Sequence, residues 1–217
     1  MQIHHISDNN SVLNHFLAEI RNVNVQNDSL RFRRNMERIG EIMAYELSKT
    51  LAFKATSIQT PLGLKTTSLL EKQLVLCAIL RAALPMHNGF LNYFDHAENG
   101  FISAFRHHPK NDSEFEIVVQ YEAVADINNK IVVLIDPMLA TGQSIVAVYN
   151  RIIERGNPSE IHIAVAIAAP EGISHLQENL PKNCHLWIAA IDEELNEKNY
   201  IVPGLGDAGD LAFGEKL

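Results

Sequence analysis

The stretch IVVLIDPMLATGQSIVAVYN, residues 131–150, indicates how the middle of this chain folds. It opens with five apolar residues, four of them β-branched, which is typical of a buried strand. Asp136 follows directly, and after several small and hydroxylated residues the apolar positions return at helical spacing. The pattern predicts a strand, a tight loop and a helix, which is the repeating unit of a parallel α/β sheet.

Comparable apolar runs recur along the chain. They are QLVLCAIL, FISAF, FEIVVQYEA, IHIAVAIAA and HLWIAAID, and several are separated by amphipathic segments long enough for a helix. Runs that are nearly continuous, instead of alternating with polar residues, are typical of strands buried on both faces. We therefore predict an α/β fold with a mostly parallel sheet flanked by helices.

The first 70 residues show a different organisation. SDNNSVLNHFLAEIRN predicts one amphipathic helix, and a longer one follows with Asp28 or Ser29 as its N-cap. KATSIQTPLGLKTTSLL then predicts a short β-hairpin around a Pro-Leu-Gly turn. We expect one domain over residues 1–217, with residues 1–70 packing on it or on a partner subunit.

The composition limits the classes of function. The formal net charge of -8 disfavours nucleic-acid binding, which relies on a broad basic face. The N-terminus has no basic region followed by a long apolar one, and no run approaches the roughly 18 apolar residues of a membrane span. The only two cysteines, Cys77 and Cys184, lie inside apolar runs. We expect a cytoplasmic protein without a membrane anchor.

The loop after Asp136 has the composition of a phosphate site. If Thr141 to Ser144 form the first turn of a helix, their backbone N–H groups point outward and the helix dipole favours an anion. Gly142 allows a phosphate to approach closely, and Asp136 would lie beside it, where a carboxylate can accept hydrogen bonds from sugar hydroxyls. The alternative is that Asp136 or Thr141 only caps the helix.

Two arginines stand at the ends of predicted strands. Arg81 follows CAIL and Arg106 follows FISAF. A guanidinium there is costly unless it faces a cleft and meets an anion, so the two predict a diphosphate site. The alternative is that each makes a surface salt bridge.

The C-terminal tract NYIVPGLGDAGDLAFGEKL holds three glycines and a proline in seven residues, a density that argues against a helix or a regular strand. Dense glycines allow backbone groups to approach a flat ligand closely. The alternative is a poorly ordered terminus. The ten histidines show no metal-binding spacing, so we predict no protein-held metal.

Together these motifs resemble the uracil phosphoribosyltransferases, of the type I phosphoribosyltransferase fold. VLIDPMLATGQS is similar to that family's signature for phosphoribosyl diphosphate (PRPP), and YIVPGLGDAGD is similar to its uracil-binding terminus. The resemblance implies transfer of the 5-phosphoribosyl group from PRPP to uracil, giving UMP and diphosphate. It also implies Mg²⁺ carried by PRPP, a homodimer or larger homo-oligomer, and possible activation by GTP.

The resemblance also assigns residues by position. The implied catalytic residues are Asp207 and Arg106, and the implied uracil-binding residues are Ile201, Gly206, Asp207 and Ala208. The implied PRPP-binding residues are Arg81, Arg106, Asp136, Pro137, Met138, Leu139, Ala140, Thr141, Gly142, Gln143, Ser144 and Asp207.

The sequence departs from the family pattern at several positions. Ala83 stands where RAGL would have glycine, and Gln143 replaces the second glycine of TGGS. Two other functions remain open on these residues: a non-enzymatic, RNA-binding regulator of the same fold, which the net charge of -8 disfavours, and transfer to another base, which GLGDAGD disfavours.

Overall fold

A computed structural model describes residues 1–107 and 116–216, and it describes side chains outside residues 105–119. The strands are β1 Gln2–His5, β2 Phe53–Thr60, β3 Gly63–Leu70, β4 Leu74–Leu80, β5 Glu98–His107, β6 Glu116–Ala123, β7 Ile131–Ile135, β8 Met138–Leu139, β9 Glu160–Ala168, β10 His185–Ile191, β11 Glu194–Leu195 and β12 Ile201–Val202. The helices are α1 Leu13–Arg21, α2 Ser29–Ser48, α3 Leu84–Leu91, α4 Gln143–Ile153, α5 Pro170–Asn179 and α6 Ala208–Phe213.

The main sheet is mostly parallel, as predicted. Across the described residues its strand order is β1-β10-β9-β7-β4-β5-β6, with the short β8 pairing on β9. Every neighbouring pair on this path is parallel except β5 and β6. The edge strand β1 was not predicted, because its sequence QIHH is short and polar and its pairing with β10 is non-local.

Each face of the sheet carries its own apolar core. Along β4, Leu76 and Ala78 pack with α1, α2 and α3, whereas Val75 and Cys77 pack with α4 and α5. All four side chains are fully buried. Burial on both faces explains why polar residues do not alternate with apolar ones along this strand. Because helices cover both faces of the sheet, a ligand can reach it at the ends of the strands.

The predicted N-terminal elements are present. Asp28 caps α2, since its side chain accepts hydrogen bonds from the backbone N–H groups of Leu30 and Arg31 at 3.0 and 3.1 Å. β2 and β3 form an antiparallel hairpin whose turn lies between Thr60 and Gly63.

The hairpin is largely exposed along both strands. Its packing on a partner subunit stays a prediction.

Among the helices of the described ranges, none combines the length and the apolar content that crossing a membrane requires.

Candidate active site

The candidate site is a cleft of about 670 Å³ beyond the carboxyl ends of β4 and β7. Three segments far apart in sequence line it: residues 79–82 at the end of β4, residues 136–145 around the start of α4, and the C-terminal residues 198–209. Ser103 and Ala104 of β5 and Lys216 complete the lining. Ligands of open α/β sheets bind at this edge because the loops of neighbouring strands converge there.

The loop after β7 leaves backbone donors without partners at the start of α4. The N-cap of α4 is Gly142, at φ 78°, and no side chain caps this helix. The interpretation that Asp136 or Thr141 merely caps α4 is therefore wrong. The first intrahelical bond runs from Val146 N–H to the Gly142 carbonyl at 3.1 Å, so the N–H groups of the preceding turn have no helical partner. These N–H groups remain available to a phosphate.

The predicted loop residues divide into two groups. Six of them line the cleft: Asp136, Met138, Ala140, Thr141, Gly142 and Ser144. The side chains of the other three point elsewhere, because Pro137 and Leu139 are buried and Gln143 is exposed. The departure at Gln143 therefore places its side chain outside the cleft lining.

Asp136 is the most electrostatically perturbed group of the cleft. It directly follows β7, and its Oδ1 accepts a hydrogen bond from Met138 N–H at 3.2 Å. Burial raises the pKa of this carboxyl to about 7, and the hydrogen bond from Met138 opposes the shift only weakly. At neutral pH the folded protein therefore keeps this carboxyl partly protonated, whereas the unfolded chain would ionise it almost completely.

We expect Asp136→Asn to stabilise the protein in a pH-dependent way. Because the folded-state pKa of Asp136 lies above the ordinary value of an aspartate, about 3.9, the charged carboxylate costs stability increasingly as pH rises from about 4 to about 7. Asparagine keeps the acceptor for Met138 and removes the charge. Urea unfolding should show a gain of roughly 1–3 kcal/mol at pH 8 and little gain at pH 4. The control is Glu178→Gln, which changes an exposed carboxylate of α5 that has no ion-pair partner among the described residues; its effect should stay within about 0.5 kcal/mol at both pH values. A pH-independent effect of Asp136→Asn would contradict the prediction.

Arg81 faces the cleft and is held by the C-terminal segment. Its Nη2 donates to Asp210 Oδ1 at 2.8 Å and to the Gly214 carbonyl at 2.6 Å. Its Nε is buried without a partner in the described residues. The salt-bridge alternative is thus correct in part: an ion pair exists, but it lies in the cleft wall and leaves donors of the guanidinium free for an anion. The departure at Ala83 imposes no strain, since its φ of -72° suits any residue.

Arg106 lies in β5, whose backbone pairs with β6 and places Arg106 opposite Ile117. Its side chain falls outside the described part of the structure, as do residues 108–115. The predicted role of Arg106 toward diphosphate stays a prediction.

The C-terminal tract is more regular than its glycine content predicts. It contains β12 and α6. Of the seven residues with the dense glycines, 203–207 are neither helix nor strand, as predicted, whereas Ala208 and Gly209 begin α6 against the prediction. The reason is the placement of the glycines. Gly204 and Gly206 adopt positive φ values of 60° and 94° before the helix, and Gly209 lies in the first turn of α6. Asp207 caps α6 through a 3.0 Å hydrogen bond from Asp210 N–H to its Oδ1.

The predicted uracil-binding residues come together only in part. Gly206, Asp207 and Ala208 line the cleft. An added Cβ on Gly206 would meet no atom within 4 Å, so its backbone borders open space. Ile201, in contrast, is buried in the core beside the cleft and is not a lining residue.

Among the lining residues that sequence reasoning missed are Lys198, Asn199, Tyr200 and Lys216. Tyr200 is 47% exposed and could offer its ring to a flat ligand. Lys216 Nζ lies 3.5 Å from Asp207 Oδ2, which adds a cation beside Arg81. The available signal was their position beside GLGDAGD, since a lysine or tyrosine alone is an ordinary surface residue.

None of the histidines whose side chains the structure describes is a lining residue of the cleft. His162 lies near the start of β9 and His185 is the first residue of β10, so both are at the amino ends of these strands. Their rings stack on each other, and the ring of His162 also stacks on that of Trp187. Burial lowers the pKa of His162 to about 3, so it stays neutral and its Nδ1 accepts from Trp187 Nε1 at 3.0 Å. Within residues 1–107 and 116–216, no group of three or more His, Cys, Asp or Glu side chains could hold a metal ion.

The comparison with known proteins agrees with this geometry. The sequence model of the family described as Uracil phosphoribosyltransferase matches residues 6–215. This chain belongs to the uracil phosphoribosyltransferase family. A uracil phosphoribosyltransferase of Porphyromonas gingivalis is 49% identical over 217 residues, covering 100% of both chains. One from Thermococcus gammatolerans is 40% identical over 93% of this chain and 88% of its own length.

Solved structures show the same fold as this uracil phosphoribosyltransferase family member. A protein from Aquifex aeolicus superimposes with a TM-score of 0.88 at 30% identity, covering 98% of both chains. A hypoxanthine phosphoribosyltransferase from Staphylococcus aureus gives a TM-score of 0.50 at 16% identity, covering 74% of this chain and 76% of that one. The predicted fold class is confirmed.

Proposed function

We propose that this protein transfers the 5-phosphoribosyl group from PRPP to uracil, giving UMP and diphosphate. One observation carries the proposal: a single cleft brings together the anion-binding loop at the start of α4, the guanidinium of Arg81 and the glycine-rich GDA turn. These are the parts that a sugar phosphate, a diphosphate and a flat base require, and the chain belongs to a family named for this reaction.

The PRPP half of the cleft would be built by two segments. The ribose 5-phosphate would sit on the free N–H groups of residues 143–145, with the hydroxyls of Thr141 and Ser144 as further donors. Asp136 would accept hydrogen bonds from the ribose hydroxyls. Arg81, joined by Arg106, would bind the diphosphate. Negative charge accumulates on diphosphate as the anomeric carbon is released, so cations placed in advance stabilise the transition state.

The uracil half would be formed by the turn at residues 206–208, chiefly through backbone groups. Uracil attacks the anomeric carbon through a ring nitrogen and must lose a proton from it. Asp207 is the carboxylate at this end of the cleft, so we propose it as the catalytic carboxylate nearest the base. Holding the base in line with the anomeric carbon supplies much of the remaining acceleration.

Mg²⁺ would enter with PRPP. The ion prefers oxygen ligands and is usually held by substrate phosphates together with one or two carboxylates. Asp136 and Asp207 both line the cleft, so the donors present fit an ion carried mainly by PRPP. When bound, Mg²⁺ would neutralise charge on the diphosphate.

The proposed reaction is tested by incubating the protein with PRPP, Mg²⁺ and radiolabelled uracil, and separating UMP from uracil. We expect UMP and diphosphate in equal amounts. Unlabelled orotate, hypoxanthine and adenine should not compete, whereas unlabelled uracil should. Competition by a purine, or RNA binding without UMP formation, would contradict the proposal.

Homo-oligomeric assembly, activation by GTP and a cytoplasmic location stay proposals. The exposed hairpin β2–β3 supports assembly, since Leu62 and Leu64 present apolar side chains to solvent. Light scattering of the purified protein, with and without GTP, measures the assembly directly.

A further inference from the structure

An ion pair joins the end of α1 to the end of β10, behind the base half of the cleft. Arg21 is the last residue of α1, and Asp192 directly follows β10. Their contact is bidentate, with Nη1 to Oδ2 at 2.7 Å and Nη2 to Oδ1 at 2.5 Å. The Asp192 side chain is only 5% exposed and that of Arg21 23%. Charges this buried are costly unless they are fully paired.

Both partners of this ion pair also bind Gly204. Gly204 N–H donates to Asp192 Oδ2 at 2.9 Å, and Arg21 Nη1 donates to the Gly204 carbonyl at 3.0 Å. Gly204 adopts φ 60°, and a Cβ on it would lie 2.1 Å from the Ile201 carbonyl oxygen. Glycine is therefore required here, and glycine is the residue that loses most conformational freedom on ordering. The ion pair fixes both backbone polar groups of that residue.

The neighbouring residue is held in the same way. Gln26, in the loop between α1 and α2, is 7% exposed. Its Nε2 donates to the Leu205 carbonyl at 2.7 Å and to the Ile20 carbonyl at 3.2 Å. Two consecutive peptide carbonyls are thus held by side chains from the N-terminal part of the chain. The next residues, Gly206 and Asp207, border the cleft.

We propose that Arg21, Asp192 and Gln26 form a network that positions the uracil-binding turn at residues 206–208. None of the three lines the cleft, so they are positioning residues and not catalytic ones. The inference rests on the proposed function. If the glycine-rich turn is already ordered before uracil binds, less of the binding free energy of uracil is used to order it. Small displacements of the bound base also lower the reaction rate, because the reacting atoms are then out of line. No hydrogen bond or ion pair joins these three side chains to the loop before α4 or to Arg81, so the effect should fall more on uracil than on PRPP.

Two variants test this network. Gln26→Leu removes the hydrogen-bond donor to the Leu205 carbonyl at nearly constant side-chain volume. Arg21→Lys keeps the positive charge but loses the bidentate contact with Asp192. We expect KM for uracil to rise about 10-fold or more in each variant, while KM for PRPP stays within about 2-fold. Hydrogen–deuterium exchange of a peptide covering residues 201–208 should accelerate in both variants.

A matched control separates positioning from general destabilisation. Arg155 pairs with the buried carboxylate of Glu122 at 2.7 Å and contacts nothing in the cleft lining. Arg155→Lys should leave both KM values unchanged. Because Arg155 is 53% exposed and Glu122 also pairs with Arg151, a second control, Ile152→Val in the buried core of α4, supplies the loss of melting temperature and should also leave both KM values unchanged.

The proposed network would be wrong if the folded Gln26→Leu and Arg21→Lys proteins kept a wild-type KM for uracil. It would also be wrong if both variants raised the KM for uracil and the KM for PRPP equally. Failure of the wild-type protein to form UMP would instead overturn the proposed function. An unchanged exchange rate at residues 201–208 would exclude the positioning role whether or not the protein is active.

Discussion

Asp207→Asn should lower kcat/KM for UMP formation by about 100-fold or more while leaving the fold intact. In the proposed reaction the carboxylate lies at the base end of the cleft, where it supports loss of the uracil proton and faces the cations that bind PRPP. Asparagine keeps the oxygen that caps α6 by accepting from Asp210 N–H, and asparagine is as good an N-cap as aspartate. The measurement is the steady-state rate with radiolabelled uracil, beside the melting temperature.

Asp207→Ala separates the two roles of this residue. Alanine removes the cap as well as the charge, so it should cost about 1 kcal/mol of stability in addition to the activity. If capping were the only function of Asp207, Asp207→Asn would retain activity and only Asp207→Ala would lose it. That result would remove Asp207 from the catalytic residues.

Arg81→Met should lower kcat/KM for PRPP by about 100-fold or more, with a small effect on stability. The guanidinium lines the cleft, and its buried Nε has no partner in the described part of the chain. Removing a donor that meets developing negative charge typically costs two to three orders of magnitude, roughly 3–4 kcal/mol in the transition state. Initial rates at varied PRPP and saturating uracil measure the effect.

Arg34→Met is the matched control for Arg81→Met. Arg34 also pairs with one carboxylate, that of Glu37 at 2.7 Å, but it is an exposed residue of α2 away from the cleft. Its substitution should leave both KM values unchanged. A wild-type KM for PRPP in Arg81→Met would show that diphosphate is bound without this arginine.

The local features of the site could be predicted from the sequence because they depend on residues close in the chain. The switch from β-branched residues to Asp136 and then to Gly142 marks a strand, a loop and a helix N-terminus within 14 residues, 131–144. The cap of α2 at Asp28 and the hairpin turn depend equally on neighbours. The glycine-rich terminus showed the limit of this reasoning, because glycine density alone did not indicate that two glycines precede α6 and one lies inside it.

Contacts between distant residues could not be predicted in the same way. The pairing of Arg81 with Asp210 joins residues 129 positions apart, and that of Arg21 with Asp192 joins residues 171 apart. An arginine at a helix end has the same sequence signature whether it faces solvent or a buried carboxylate. Only the tertiary packing, of α6 beside the end of β4 and of α1 beside the end of β10, brings the partners of each pair together.

The sequence by itself determined the fold class and the identity of the main chemical groups: the anion-binding loop, the arginine after β4 and the glycine-rich turn. The hydrophobic periodicity and the conformational freedom of glycine are local properties, so the order of the residues determines them directly. The tertiary structure alone decided that Asp136 is buried enough to raise its pKa to about 7, that Leu139 turns into the core, and that Arg21 and Gln26 hold the turn before Gly206. Burial and pairing depend on which elements pack together, and that is a property of the whole fold.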